Sequence, residues 1–255
     1  MKDYLIDTHA HIDMLEDELQ TILEDMKNFS VKKVIIPSVE IGTQDKIVEI
    51  ANKNENIYCM VGLFPTEART YTEEFESHMI NLSQNNKKIV AVGEIGLDYY
   101  WDKSFTDIQK EVFIKQIEMA NRLNLPIVVH DRDAHKDCLD ILKEYNKNSQ
   151  ILFHCFSGSV EFMRECTKEG WYIAIGGVVT FKNAVKIKDV AKEVPLERLV
   201  LETDSPYLTP VPYRGKPNKP AYVKYVAEEI SSLRNMPVNE LIDITTTNAE
   251  RFFGI

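Results

Sequence analysis

The chain has 255 residues, of which 44% are hydrophobic, and its formal net charge of −10 argues against a protein that grips long nucleic acid through a basic face. No apolar run approaches the roughly 20 residues that a bilayer span requires, and the opening MKDYLID lacks the apolar core of a signal peptide. The four cysteines form no CxxC pair, so we expect reduced thiols and a cytoplasmic location.

Short apolar strands alternate with amphipathic helices along the whole chain. The predicted strands are Tyr4–Asp7, Lys33–Pro37, Ile57–Gly62, Ile89–Gly93, Ile127–Val129, Ile151–Phe153, Tyr172–Ile175 and Leu199–Leu201. The predicted helices are Asp13–Phe29, Gly42–Asn52, Thr72–Gln84, Ser104–Leu123, Ala134–Tyr145, Val160–Lys168, Ala184–Val194, Pro220–Leu233 and Val238–Phe252. Ser104 and Asp107 predict a capping box at the start of the fourth helix.

The order of these elements predicts the fold class. No linker or low-complexity tract interrupts them, so we expect one domain over residues 1–255. The strands are apolar throughout, which is typical of strands covered on both faces. Eight strand–helix units in a row favour an α/β fold, a single (β/α)8 TIM barrel. A doubly wound open sheet is the alternative, but its first turn is usually glycine-rich, whereas this one is histidine-rich.

The first candidate site is the stretch Tyr4–Asp13, YLIDTHAHID. His9 and His11 are separated by one residue, so on a strand both imidazoles project from the same side. Neutral imidazole is the commonest protein ligand of zinc-like ions. The pair therefore indicates a metal site, with a surface histidine pair at a strand end as the simpler alternative.

Further histidine and acidic residues follow the other predicted strands. Glu94 follows the fourth strand, His130 the fifth, His154 the sixth and Asp204 the eighth. In a closed barrel the C-terminal strand ends meet at one mouth, where the active sites of barrel enzymes lie. Each residue alone could be a hydrogen-bonded core residue or a turn cap, but their shared position predicts one metal centre.

Successive motifs resemble those of the TatD family of metal-dependent deoxyribonucleases, within the amidohydrolase superfamily. They are DTHAHID, GEIGLDYY, VVHDRDA, HCFSGS, LETDSPYLTP, RGKPNKPAYV and TTTNAERFFGI. The resemblance runs from Asp7 to the C-terminus and implies a (β/α)8 barrel with two divalent metal ions, Zn²⁺, Mn²⁺ or Mg²⁺. It implies that one ion is bound by His9, His11 and Asp204, that the other is bound by His130 and His154, and that Glu94 bridges them.

The chemistry of these residue types agrees with that allocation. Two neighbouring cations need an anionic bridge, which a glutamate can supply, and a water between them becomes a nucleophile. Asp204 can orient that water and later pass a proton to the leaving oxygen, so Asp204 and Glu94 are the candidate catalytic residues. One departure is that Phe64 and Thr66 stand where many relatives carry histidine, which changes the loop that faces the substrate.

Aromatic and basic residues near these motifs are candidates for substrate binding. In the run Tyr99-Tyr100-Trp101, Tyr99 and Trp101 are the predicted stacking partners for bases, although at least one ring could belong to the core. The cationic candidates for phosphate contacts are Arg132, Arg214 and Lys216.

The leading hypothesis is a metal-dependent deoxyribonuclease that hydrolyses phosphodiester bonds as an exonuclease on single-stranded or frayed DNA ends. It needs no membrane and no obligate protein partner. The alternative is a metal-dependent acyl or ester hydrolase of the amidohydrolase type, acting for example on aminoacyl-tRNA, because both reactions use the same ligands. A metal-binding barrel without catalysis is the third hypothesis. A lost ligand would indicate it, and none is lost.

Overall fold

A computed structural model describes residues 2–255. Within that range the strands are β1 Leu5–Asp7, β2 Val31–Pro37, β3 Ile57–Val61, β4 Ile89–Asp98, β5 Ile127–Arg132, β6 Ile151–Phe153, β7 Tyr172–Ile175 and β8 Leu199–Leu201. The α-helices are α1 Leu19–Asn28, α2 Thr43–Lys53, α3 Glu73–Asn85, α4 Thr106–Leu123, α5 His135–Tyr145, α6 Val160–Lys168, α7 Val185–Glu193, α8 Val223–Leu233 and α9 Val238–Phe253. None of these helices has the length and apolarity that a membrane span requires.

The eight strands form one sheet whose order follows the chain from β1 to β8. β8 is hydrogen-bonded to Thr8, the residue that follows β1. The Thr8 N–H and hydroxyl both donate to the Leu201 carbonyl, over 3.1 and 3.0 Å. Ala10 and Ser205 continue this pairing as a parallel bridge. The fold is therefore the (β/α)8 barrel that the sequence predicts.

By residue contacts the chain separates into two compact units, and the first comprises the residues up to Ile36 together with His154–Ile255. Within it β1 pairs with β2 and β7 pairs with β8. The buried Tyr172 ring of β7 packs edge-on against Phe252 of α9, with 5.3 Å between centroids. The Asn248 amide of α9 donates to the carbonyls of Leu196 and Leu199, which fixes α9 at the start of β8.

The second unit, Pro37–Phe153, contains β3 to β6 with α2 to α5. All ten residues of β4 are buried, as expected for a strand covered on both faces. Two buried glutamines of α4 bond the backbone beside this strand. The Gln116 side chain accepts from the Leu63 N–H over 2.7 Å and donates to its carbonyl over 3.1 Å, and Gln109 does the same to Asp98 over 2.9 and 3.0 Å. These two glutamine clamps satisfy backbone groups beyond the regular pairing.

β4 and β5 are longer than predicted, because their pairing continues past the apolar runs from which their ends were predicted. Pairing continues through Gly96 opposite His130 and Asp98 opposite Arg132. Gly96 makes this possible, since it has a φ of +147° and a Cβ there would lie 2.0 Å from the His130 carbonyl oxygen. Glu94 consequently lies inside β4 rather than at its end.

Three helix starts were predicted too early. α8 begins at Val223 rather than Pro220, because Pro220–Tyr222 forms a 3-10 turn. α1 begins at Leu19 rather than Asp13, because Ile12–Met14 forms a separate 3-10 turn and Glu18 is extended. The capping box predicted at Ser104 is wrong. The Ser104 N–H donates to Asp102 instead, and α4 begins at Thr106 without a side-chain cap.

Candidate metal centre

The first unit brings together three of the predicted metal ligands. His9 and His11 follow β1, and their Nε2 atoms lie 3.7 and 3.5 Å from Oδ1 of Asp204, which follows β8. These separations exceed a usual N–H···O hydrogen bond of about 2.9 Å. They are close to the roughly 3.4 Å between two ligand atoms that each lie about 2.1 Å from one tetrahedral ion. The three side chains could therefore hold a metal ion.

His154 lies against the same group. Its ring stacks on His9 with 4.0 Å between centroids, and its Nδ1 is 3.8 Å from Oε1 of the fully buried Glu202. That oxygen accepts the Cys155 N–H over 2.5 Å, whereas Oε2 of Glu202 has no hydrogen-bond partner among the described residues. A buried carboxylate oxygen without a partner is destabilising unless a cation lies nearby. The donor set therefore fits a bound divalent ion.

Asp7 is equally buried but has a different role. Its Oδ1 accepts the N–H groups of His9 and Thr203 over 3.3 and 2.9 Å, and its Oδ2 accepts the Thr203 hydroxyl over 2.5 Å. With both oxygens bonded to the backbone or hydroxyl of neighbouring segments, Asp7 joins the residues after β1 to those after β8. It therefore positions the segment that carries His9.

The electrostatics of this group depend on burial and on the histidines. Burial raises the pKa of Asp7 to about 8 and that of Glu202 to about 8, and the charge of Asp204 adds to both. Burial would also raise the pKa of Asp204, but His11, His9 and His154 outweigh it and hold that pKa below its usual value. A divalent cation would stabilise the ionised form of all three carboxyl groups.

The second unit contains the other two predicted ligands. The His130 ring lies between two carboxylates, with Nδ1 2.8 Å from Glu94 Oε1 and Nε2 2.9 Å from Asp98 Oδ2. Both acidic side chains are buried. Phe64 packs edge-on against the His130 ring with 4.5 Å between centroids. The ring is thereby confined by two carboxylates of β4 and by one aromatic ring of the segment that follows β3.

Asp98 is also bonded to the segment that follows β4. Its Oδ1 accepts the N–H groups of Tyr100 and Trp101 over 2.9 and 3.2 Å. Burial alone would raise the pKa of Asp98, but the bond to His130 and these two backbone bonds hold it below its usual value. Both carboxylate oxygens of Asp98 therefore have hydrogen-bond partners.

The aromatic run after Asp98 is divided between a buried and an exposed part. The Tyr99 hydroxyl donates to Asp137 of α5 over 2.7 Å, and its ring is half-buried. Tyr100 and Trp101 are 54% and 66% exposed. The Arg132 guanidinium lies over the Tyr100 ring at 3.7 Å and 5.4 Å from the Trp101 ring centroid. We call Tyr100, Trp101 and Arg132 the aromatic platform.

The remaining predicted substrate residues lie on the segment between β8 and α8, in the first unit. Arg214 and Lys216 are both exposed. The Arg214 guanidinium stacks over Phe181 at 3.9 Å, and the Lys216 ammonium lies 5.9 Å from the Tyr213 ring centroid. Lys219 is not available for an anion in the same way, because it is paired with Asp17 and Asp25 at 2.9 Å each.

Two buried carboxylates of the site, Asp98 and Glu202, are not among the residues predicted from the sequence. A signal was present in each case. Asp98 lies four positions after Glu94 in the same strand, where alternate residues share a face. Glu202 lies two positions before Asp204 directly after an apolar run. Spacing by two or four from a predicted ligand marks both as candidates, although it does not give their contacts.

Comparison with known proteins identifies the family. A family model described as TatD related DNase matches residues 6–254. The chain is 46% identical over 254 residues to the uncharacterized metal-dependent hydrolase YabD of Bacillus subtilis, covering 98% of this chain and 99% of that protein. It is 35% identical to the uncharacterized metal-dependent hydrolase YcfH of Escherichia coli, covering 99% and 96%.

Solved structures agree with these sequence relatives. The crystal structure of YjjV, a TatD homolog from Escherichia coli K12, superposes with a TM-score of 0.93 at 28% identity and covers 98% of each chain. An organophosphorus hydrolase from Deinococcus radiodurans shares the fold alone, with a TM-score of 0.62 at 12% identity over 98% of this chain and 92% of that one. The protein is a metal-dependent hydrolase of the TatD family.

Proposed function

We propose that the protein is a deoxyribonuclease that hydrolyses phosphodiester bonds, as an exonuclease on single-stranded or frayed DNA ends. The observation that carries the proposal is the complete donor set, in which His9 and His11 lie beside Asp204 within a family described as TatD related DNase. A cytoplasmic location is part of the proposal, because the four cysteines, all within the described residues, form no disulfide.

We propose two divalent ions, Zn²⁺, Mn²⁺ or Mg²⁺, held by the residues that the sequence predicts. His9, His11 and Asp204 would hold one ion, His130 and His154 the other, and Glu94 would bridge them. In support, all of these residues lie in or directly after parallel strands of one sheet, whose C-terminal ends share one edge. When bound, such ions activate a water for attack and offset the charge that builds on the phosphate.

The chain's own residues would carry out the proton transfers and hold the substrate. Asp204 would accept a proton from the attacking water and pass it to the leaving oxygen. Arg132, Arg214 and Lys216 would contact phosphate oxygens. Trp101 would stack on a base, with Tyr100 beside it, because these two rings are exposed. Tyr99 stays a predicted base contact, and its bond to Asp137 would hold that segment in place.

The proposal is tested by assaying the metal-loaded protein on two substrates side by side. One is an end-labelled single-stranded DNA and the other is an aminoacyl ester. We expect mononucleotides to be released progressively from the DNA, with little turnover of the ester. Rapid ester hydrolysis without DNA cleavage would instead establish the acyl or ester hydrolase. Inertness toward both, with metal bound, would favour the non-catalytic barrel.

The bridging role of Glu94 is tested with Glu94→Gln, which keeps the shape and removes the charge. We expect most activity to be lost and at least one ion to bind more weakly, with the fold retained in circular dichroism. Glu118→Gln, at an exposed position of α4 in the same unit, is the matched control. Two retained ions and a rate within a few-fold of wild type would show that Glu94 is not the bridge.

A further inference from the structure

The His130 ring has a carboxylate at each nitrogen, and only one arrangement of protons lets it bind a metal. A neutral imidazole carries one N–H and one lone pair, and the group at the far nitrogen decides which nitrogen keeps the hydrogen. Nε2 faces Asp98 Oδ2 at 2.9 Å, and Nδ1 faces Glu94, the predicted bridge, at 2.8 Å. The nitrogen on the metal side is therefore Nδ1.

Asp98 is held so firmly that it can act only as an acceptor toward His130. Its Oδ1 already accepts the Tyr100 and Trp101 N–H groups, and its own N–H and carbonyl are bonded by the Gln109 clamp. The side chain is completely buried, so water does not compete for Oδ2. Since Oδ1 accepts two backbone N–H groups, Oδ2 is the acceptor that remains for an N–H on Nε2, 2.9 Å away.

We propose that Asp98 is a positioning residue that holds His130 in the Nε2–H tautomer and ties this metal ligand to the aromatic platform. The tie follows from geometry, because one carboxylate bonds the ring of His130 and the backbone of Tyr100 and Trp101, while Arg132 stacks on Tyr100. The inference rests on the metal-binding part of the proposed function. It does not depend on DNA being the substrate.

The variant Asp98→Asn separates the two tasks, because an amide has one acceptor oxygen where the carboxylate has two. If the amide oxygen stays on the Tyr100 and Trp101 N–H groups, the NH₂ group faces His130 and requires a lone pair on Nε2. The hydrogen then moves to Nδ1, which can no longer bind a metal. If the oxygen turns to His130, two donors meet at the Tyr100 segment and its bonds are lost.

Two measurements on Asp98→Asn and Asp98→Ala follow from this. In Asp98→Asn, either the Zn²⁺ affinity of at least one site should fall by about tenfold to 100-fold, or acrylamide should quench Trp101 fluorescence more strongly. In Asp98→Ala, both changes should occur. The other tryptophan, Trp171, is buried, so quenching reports on Trp101. Asp137→Asn is the matched control, because Asp137 bonds Tyr99 in the same segment but no predicted ligand, and should leave the zinc affinity unchanged.

The proposal also has a test on the wild-type protein, without any change at Asp98. Nitrogen-15 spectra of the zinc-loaded wild-type protein, with His130 assigned from its substitution, should show Nε2 protonated and Nδ1 bound. A protonated Nδ1 would overturn the proposal. So would wild-type zinc affinity and wild-type quenching in both Asp98 variants. If these results are as expected but no DNA is cleaved, the deoxyribonuclease proposal fails and the role of Asp98 stands. If the wild-type protein binds no divalent ion, both fail.

Discussion

At the scale of single residues, Asp7 and Glu202 show how two equally buried carboxyl groups acquire different roles. Asp7 has bonds to His9 and Thr203 on both oxygens, so its neighbours satisfy it completely. Glu202 has one oxygen bonded to Cys155 and one without a partner among the described residues. Removing the charge of Glu202 would therefore matter mainly when a cation is present, whereas Asp7 supports the local structure in either state.

The proposed role of Asp204 predicts a specific kinetic change. Asp204→Asn should lower kcat by about 10²- to 10⁴-fold and change KM much less, because activation of the water is felt in the transition state. Steady-state kinetics on labelled single-stranded DNA measure both constants. Metal content must be determined on the same sample, since Asp204 is also a predicted ligand. An unchanged kcat with a raised KM would assign Asp204 to substrate binding.

Asp137 provides a prediction of pH dependence. Hydrogen bonds from Lys110 and Tyr99 hold the pKa of Asp137 below its usual value. A carboxyl with a depressed pKa contributes stability above its unfolded-state pKa, and this is lost as pH falls through the folded-state pKa. Asp137→Asn should therefore lower the melting temperature at pH 7 by roughly 1–3 °C. The value is small because the Asp137–Lys110 ion pair is partly exposed and screened by solvent.

At strongly acidic pH, below the folded-state pKa of Asp137, the same substitution should have almost no effect on the melting temperature. Thermal denaturation followed by circular dichroism at both pH values checks this. Asp140→Asn in α5, where the exposed Asp140 pairs with the exposed Lys136, is the control for loss of a surface charge. An equal loss of stability at both pH values would mean that Asp137 acts by shape and not by charge.

At the scale of elements, the apolar strands were predictable and the polar continuations were not. β6, β7 and β8 lie where the sequence predicts, because each is a short apolar run between polar segments. β4 and β5 continue through charged residues because the four residues from Ile95 to Asp98 pair with those from Val129 to Arg132. A one-dimensional pattern contains no information on such partners. The capping box at Ser104 was wrong for a related reason, since Asp102 competes for the same backbone.

The candidate site shows the same limit. The proposed ligands were predictable because motif order and strand ends locate them without any knowledge of distances. The role of Asp98 was not predictable, because it depends on the 2.9 Å contact between Asp98 and Nε2 of His130. Spacing along the strand gives only the face on which Asp98 lies. Likewise the exposure that distinguishes Tyr100 from Tyr99 depends on Asp137, which lies on another element.

At the scale of the whole molecule, we predict that residues 1–255 unfold as one domain. The eight strands form one sheet in chain order. Loss of some of these strands would leave exposed edges on those that remain, which is unfavourable. Differential scanning calorimetry should give one endotherm with equal calorimetric and van't Hoff enthalpies. Two separated endotherms would instead show independent domains.

The net charge of −10 predicts how DNA is handled. A long duplex should be repelled, whereas a chain end needs only about two or three phosphates to be engaged, which corresponds to a log–log salt slope of roughly −1.5 to −2 for single strands. Binding titrations on a linear single strand at several salt concentrations, with metal fixed, measure this slope. A much steeper slope would reveal a basic face outside the predicted residues.

The preference for ends is checked with initial rates on three substrates of equal length: a linear single strand, a covalently closed single-stranded circle and a blunt duplex. We expect the linear strand to be degraded fastest and the circle to be resistant, because a circle has no terminus. Equal rates on the linear strand and the circle would rule out end-directed cleavage.

The two glutamine clamps of α4 have a consequence for hydrogen exchange. Amide protons beyond the regular strand pairing usually exchange quickly, but those of Leu63 and Asp98 are bonded to Gln116 and Gln109 on one buried helix face. Their exchange requires α4 to detach, so both amides take on the protection of that helix. The amides of Leu63 and Asp98 should therefore become exposed to solvent in the same opening event, although they lie 35 positions apart in the chain.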